Sequence, residues 1–181
     1  ANYLSRSGWK KDRTWGREVR LPSSFDIGSS GLETRKSLAE WNTLGVRQVN
    51  GKPLPDVAVD DASVLLPAGY RGPAFLIYNN YRTTMVWNRS HLYALAVGHL
   101  SDRLVGKGKL RADLGDANPL TRRDIFDLQR RLNALGFNAG TPDGRTGPMT
   151  RKAIKGYQRK HGIPADGFPD SQLIEHVRKQ S

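Results

Sequence analysis

A stretch at 105–119, reading VGKGKLRADLGDANP, divides this chain and limits what either side can become. It holds three Gly, one Pro and few large apolar side chains, so it reads as a linker between domains. Cut there, the 181 residues give one segment over 1–104 and a second over 120–181. A domain near 60 residues buries only about 60% of its unfolded surface and is marginal on burial alone. The second segment must therefore owe its fold to sharp local signals.

Those signals are present. Thr121 can cap a helix, and Asp124 three residues on completes a capping box. Ile125, Leu128, Leu132 and Leu135 then recur at spacings of three and four, which puts them on one face. Gly136 stands where a glycine in the left-handed conformation ends a helix. A loop with Pro142-Asp143-Gly144 follows, and Thr146 or Thr150 can start the next helix. There Ala153, Ile154, Tyr157 and His161 share a face, and Gly162 closes it. Asp170 or Ser171 caps a last helix with Leu173, Ile174 and Val177. The pattern predicts a compact three-helix bundle.

The first segment is mixed. Ser30-Gly-Leu-Glu33 reads as another capping box, opening a helix that carries Leu38, Trp41 and Leu44 and ends at Gly45. Strand-like pieces stand at 46–49, 63–66, 74–78 and 83–87, with turn signals at Asn50-Gly51, Pro67-Ala-Gly69 and Gly72-Pro73. A helix over 90–104 places Tyr93, Ala96, Val97, Leu100 and Leu104 together. The expected fold is α+β: a small antiparallel sheet with flanking helices, followed by a separate three-helix bundle.

Charge narrows the partners. The net charge is +12, with +5 on residues 1–105 and +7 on residues 106–181. Nucleic acid, an anionic membrane or an anionic wall polymer would each suit it. The aromatics are not interleaved with Lys and Arg in a nucleic-acid module, so no nucleic-acid partner is expected. No apolar run approaches the ~20 residues of a membrane span. Residues 1–20 lack the apolar core of a signal peptide. There is no cysteine, which removes disulfides and thiolate metal sites. His91, His99, His161 and His176 lack metal spacing. The stretch from Asp113 to Asn118 lacks the oxygen ligands of a calcium loop. No metal or cofactor is expected.

The second segment resembles the peptidoglycan-binding domain of the PG_binding_1 type. The resemblance rests on Leu128-Gln129, Leu132, Leu135-Gly136-Phe137, Gly140, Asp143-Gly144, Gly147, Thr150, Ala153-Ile154, Tyr157-Gln158, Gly162-Ile163 and Asp166-Gly167, in order and spacing. It implies a three-helix fold that holds wall glycopeptide without cleaving it. Asp143, Arg145 and Thr146 on the loop, with Tyr157 and Gln158, are candidate binding residues. Polar and aromatic groups suit a sugar–peptide ligand, though each could equally serve a turn or the packing.

The first segment resembles the C-terminal part of the catalytic region of lytic murein transglycosylases of the MltB type. The matching residues begin with Trp15-Gly16-Arg17-Glu18-Val19, Leu21-Pro22-Ser23-Ser24-Phe25-Asp26, Trp41, Leu44-Gly45-Val46-Arg47 and Leu54-Pro55. Leu65-Leu66-Pro67, Gly72-Pro73-Ala74-Phe75-Leu76 and Tyr78-Asn79-Asn80-Tyr81 follow. The last block is Trp87-Asn88-Arg89-Ser90 with Tyr93-Ala94-Leu95-Ala96-Val97. Trp87 stands where the family usually has Tyr. The resemblance implies cleavage of the bond between N-acetylmuramic acid and N-acetylglucosamine to give 1,6-anhydro-muropeptides. A single carboxyl of raised pKa acts first as acid and then as base, unlike the paired carboxylates of ordinary glycosidases.

That acid belongs to a Glu-Ser/Thr-x-aromatic-Gly motif. Glu33-Thr34 continues with Arg35-Lys36, Glu33 is read as a capping residue, and Glu18, Glu40 and Glu175 match nothing. No catalytic residue is therefore assigned. Asn80, Trp87, Asn88 and Tyr93 are the candidate substrate-binding residues, with a helix cap as the competing role for Asn88 and the core for Tyr93. The chain is expected to be the peptidoglycan-binding C-terminal portion of such an enzyme, inactive alone, or else a non-enzymatic wall-binding protein. The expected partners are glycan strands and stem peptides in the bacterial envelope or periplasm, and exposed apolar surface on the 90–104 helix would favour self-association.

Overall fold

The computed structural model describes residues 2–112 and 120–180. They form two compact units, one of 2–67 with 72–112 and one of 68–71 with 120–180.

The first unit is α+β. Its strands are β1 (Gly16–Arg20), β2 (Arg47–Gln48), β3 (Ser63–Leu65) and β4 (Ala74–Ile77), in the order β2-β1-β4-β3, all antiparallel. Its helices are α1 (Asn2–Arg6), α2 (Leu38–Thr43), α3 (Asn79–Trp87) and α4 (His91–Leu104). In the register Glu18 faces Phe75 across the ladder, and Phe75 faces Leu65. Phe75, Leu65 and Ile77 pack with Trp15, Tyr81 of α3 and Ala94 of α4. The opposite face carries Arg17, Val19, Leu76 and Val64. The fully buried Trp41 of α2 donates its indole N–H to the Ala62 carbonyl at 3.0 Å.

Four details differ from the expectation. The capping box is Ser37–Glu40, with Ser37 Oγ accepting from the Glu40 amide and the Glu40 carboxylate accepting from the Ser37 amide. Ser30–Glu33 is not one: Gly31 has φ of 120°, which an α-helix cannot hold, and Ser30 ends a 3-10 turn at Ile27–Ser29. Residues 83–87 are helical rather than extended. Thr83 and Thr84 donate their hydroxyls to the carbonyls of Asn79 and Asn80, four residues back, a bond that a threonine inside a helix can make. Finally, α4 buries Ala94 and Gly98 and packs Leu95 on the core, rather than the expected stripe of Tyr93, Ala96, Val97, Leu100 and Leu104. Trp15 lies against Gly98 so closely that any Cβ there would overlap the indole, and its N–H donates to Asp102 at 3.0 Å. Leu92, Leu100 and Leu104 consequently remain exposed at 60–78%.

The expected linker begins inside this unit. Leu110 packs on its core, and the Arg111 and Ala112 amides donate to the Glu18 carboxylate at 2.9 and 2.6 Å. Residues 113–119, including the calcium-like stretch, lie outside the described residues.

The second unit contains α5 (Arg122–Ala134), α6 (Pro148–Lys160) and α7 (Ser171–Gln180) around Leu128, Leu132, Ile154, Tyr157, Leu173, Ile174 and Val177. The Thr121–Asp124 capping box opens α5 as the sequence predicts. Gly147, not Thr146 or Thr150, caps α6, because Pro148 takes the first helical position. Asp170 accepts from the Leu173 amide and opens α7.

Two loops of this unit are held by one repeated device. Gln129 on α5 accepts from the Asp143 and Gly144 amides at 3.0 and 2.9 Å and donates to Asp143 Oδ1 at 3.1 Å. Gln158 on α6 accepts from the Gly167 amide at 2.9 Å and donates to Asp166 Oδ1 at 2.8 Å. Gly144 and Gly167 share a φ of 72°. Each lies against the carbonyl of the residue seven before its glutamine, Arg122 and Arg151, leaving no room for a Cβ. The glutamines thus act as side-chain clasps that convert each Asp-Gly loop into an extension of a helix.

Candidate functional site

The sequence-predicted residues of the first unit separate into two groups. Asn80 is fully buried and is not available to a ligand. Its amide accepts from the Lys10 N–H and donates to the Lys10 and Arg13 carbonyls at 2.7–2.9 Å, so it stitches the N-terminal segment to α3. Every polar atom of its side chain has an obvious structural use.

Trp87 and Asn88 end α3, and Tyr93 lies in the first turn of α4, so the three flank the corner between these helices. Trp87 is 64% exposed, with its ring edge-on to Tyr3 at 5.2 Å. Asn88 ends α3 rather than capping α4, and its Oδ1 accepts from the Ser90 amide at 3.0 Å. The N-cap of α4 is Ser90, which accepts from the Tyr93 amide. Tyr93 is 39% exposed and so is not a core residue. This corner offers aromatic surface and a side-chain amide whose Nδ2 has no described protein partner. Such groups fit a sugar, with apolar ring faces for the aromatics and acetamido or hydroxyl oxygens for the amide.

The described glutamates of the first unit are either hydrogen-bonded or exposed. Glu40 is exposed and its pKa is lowered, chiefly by the backbone and side-chain hydrogen bonds from Ser37. Glu18 is occupied by two backbone amides. Glu33 is exposed and does not cap the helix it was expected to open. Among the described residues no three His, Cys, Asp or Glu side chains cluster in a way that could hold a metal ion. None of the described helices is long and apolar enough to cross a membrane.

In the second unit the candidates again divide by burial. Tyr157 is fully buried and Gln158 nearly so, which removes both from any binding surface. The Tyr157 hydroxyl pairs with His176 Nδ1 at 2.7 Å, and Gln158 is a loop clasp. Asp143 and Arg145 are exposed and Thr146 is half-buried. Asp143 Oδ1 accepts from the Arg145 amide, and these hydrogen bonds, led by Gln129, hold its pKa below the usual carboxylate range. The clasps themselves escaped sequence reasoning. Their only signal was the twofold recurrence of Gln before Asp-Gly at 129/143 and 158/166.

The two units match two different families of known proteins. The profile of the transglycosylase SLT domain matches residues 1–102, more than half of the chain, and the chain belongs to that family. Residues 121–176 match the peptidoglycan binding domain. Crystal structures of SltB3 from Pseudomonas aeruginosa, in complex with NAG-anhNAM-pentapeptide and with NAG-NAM-pentapeptide, superpose with TM-scores of 0.91 and 0.90 at 46% identity. Each superposition covers 98% of this chain and 48% of that one, so the chain spans about half the length of SltB3. The N-acetylmuramoyl-L-alanine amidase CwlM of Mycobacterium tuberculosis is 38% identical over 94 residues, covering 44% of this chain and 23% of CwlM. A spore cortex-lytic enzyme of Bacillus cereus is 36% identical over 56 residues, 31% of this chain and 22% of the enzyme.

Proposed function

We propose that this chain is the peptidoglycan-binding C-terminal portion of an MltB-type lytic murein transglycosylase of the bacterial periplasm. The parent cleaves bonds between N-acetylmuramic acid and N-acetylglucosamine and releases 1,6-anhydro-muropeptides. The observation that carries this reading is the continuous likeness to SltB3, which takes in both units at once over 98% of the chain. The occupied or exposed carboxylates Glu18, Glu33 and Glu40 support placing the general acid outside these residues. In the parent, Trp87, Asn88 and Tyr93 supply one wall of the substrate cleft. Trp87 and Tyr93 hold sugar faces, and the Asn88 amide positions an acetamido or hydroxyl group.

The second unit is the tether. It binds glycan strands and stem peptides through the loop at Asp143, Arg145 and Thr146, and follows the first unit in the chain after residue 112. Holding the wall there raises the local concentration of cleavable bonds. Its half of the net charge, +7, favours approach to an anionic polymer. The test is co-sedimentation of the full chain with insoluble peptidoglycan, alongside turbidity of a wall suspension. The chain is expected to pellet with the wall and leave its turbidity unchanged. Failure to pellet overturns the tether, and release of 1,6-anhydro-muropeptides by this chain alone overturns the missing acid.

A further inference from the structure

A cavity of about 430 Å³ lies in the first unit, lined among others by Lys10, Arg17, Leu38, Asp60, Asp61 and Tyr78. Its size falls within the range of small-ligand sites. Arg17 stands on the sheet face opposite the one that packs on α3 and α4. The cavity is thus separate from the corner of Trp87, Asn88 and Tyr93.

Arg17 is an unusual residue for its place. It sits on β1, an interior strand of the sheet, where a charge is costly unless satisfied. Its neighbour Glu18 shows the normal solution, with two backbone amides on its carboxylate. Arg17 lacks one: its Nε is buried without a hydrogen-bond partner, and so is the Tyr78 hydroxyl beside it. The guanidinium lies 5.7 Å from the Tyr78 ring centre. Burial pushes the Tyr78 pKa up, against a smaller downward pull from Arg17. A buried Nε without an acceptor, beside a phenol whose one neighbouring polar group is the Arg17 guanidinium, carries a penalty that a native fold ordinarily avoids.

The other charges of the lining have opposite sign. Asp60 and Asp61 form no described ion pair, and neither does the Lys10 ammonium; Arg13 and Asp12, which also line the cavity, neutralise each other. Cation, phenol and carboxylates around one hollow match a ligand with both charges on it.

We propose that this cavity binds a zwitterionic amino-acid or peptide end. The ligand's carboxylate sits on Arg17 and Tyr78, assisted by Lys10, and its ammonium faces Asp60 and Asp61. The planar guanidinium of Arg17 is suited to a bidentate carboxylate. Leu38 supplies an apolar wall for a small side chain. The source of such an end, the charged stem peptide of the wall, rests on the function proposed above; the ligand chemistry does not.

The test is an NMR titration of the full chain with D-alanyl-D-alanine up to ~10 mM, well above a ~1 mM dissociation constant. Its N-acetylated and C-amidated forms serve as controls. The free dipeptide should shift amides near 13–17, 57–61 and 78–79, and each blocked form should bind about tenfold more weakly. Arg17→Met and Tyr78→Phe should weaken the free dipeptide by a similar factor while leaving the melting temperature unchanged or raised, because each removes a buried polar group. Asp60→Asn with Asp61→Asn should weaken the free dipeptide and not the acetylated one. Absence of shifts at these amides, or equal binding of all three forms, overturns the proposal, as does unaltered affinity in Arg17→Met. Wall co-sedimentation with no dipeptide binding removes the cavity alone, and dipeptide binding without co-sedimentation removes the tether alone.

Discussion

The two units solve the same problem by different means. The second closes on itself: three capped helices surround one core, and its loops are clasped by Gln129 and Gln158. The first buries a core around Trp15, Phe75 and Tyr81, to which α4 adds Ala94 and Leu95, yet leaves other large apolar residues of α4 exposed. Gly98 lies against the indole, while Leu92, Leu100 and Leu104 stay in solvent. The contrast separates a unit whose helices close on one core from a unit that leaves large apolar side chains of one helix exposed.

The largest expected effect that sharpens this contrast is Trp15→Ala. Removing a buried indole should cost the first unit about 3–5 kcal/mol. Unit-resolved NMR melting should show the second unit near its original transition; a parallel loss in both would break the comparison. Gln129→Leu comes next, leaving the Asp143 and Gly144 amides without acceptors at a cost of about 2–3 kcal/mol to the second unit. Gln158→Leu should cost less, since the described bonds show one loop amide on its carbonyl rather than two. Charging the outer face of α4 with Leu92→Glu, Leu100→Glu and Leu104→Lys should leave folding within about 0.5 kcal/mol per site. The same change should reduce self-association in sedimentation velocity. A marked fall in melting temperature would mean that these leucines are packed.

The smallest effect is on acid stability. Asp124, Asp127 and Asp143 in the second unit have pKa values lowered mainly by hydrogen bonds from Thr121, Arg131 and Gln129. In the first unit Glu40 is lowered by Ser37. A lowered folded-state pKa contributes stability above the unfolded value, about 4, and loses it as pH falls through the folded one. Acidification below about pH 4 should therefore weaken the second unit more than the first, as read by denaturant midpoints at stepped pH. Equal losses would show that these carboxylates contribute alike.

The sequence was most legible where local signals decide structure. Thr121 with Asp124, the stripe from Ile125 to Leu132, and Gly136 and Gly162 each do what their spacing predicts. It misled where tertiary packing decides. Two Ser-x-x-Glu patterns competed near α2, and the conformation of Gly31 settles the choice for Ser37–Glu40. The helical state of 83–87 depends on Asn80 and Tyr81 being anchored to distant residues. The burial of Gly98 depends on Trp15, far along the chain. Of the candidate residues, Trp87 and Tyr93 are exposed and Asn88 is half-buried, while Asn80, Tyr157 and Gln158 are internal fasteners. A motif residue can persist because it holds backbone, and sequence does not distinguish that from touching a ligand.

The paired glutamine clasps have a consequence in time as well as in space. The amides of Gly144 and Gly167 lie outside every helix, yet each is buried and hydrogen-bonded to a carbonyl oxygen from a core-facing side chain. Their hydrogens can exchange with solvent only when the glutamine withdraws, which requires α5 or α6 to loosen. These two loop amides should therefore exchange on the slow timescale of helix interiors, and the loops should open with the core rather than ahead of it.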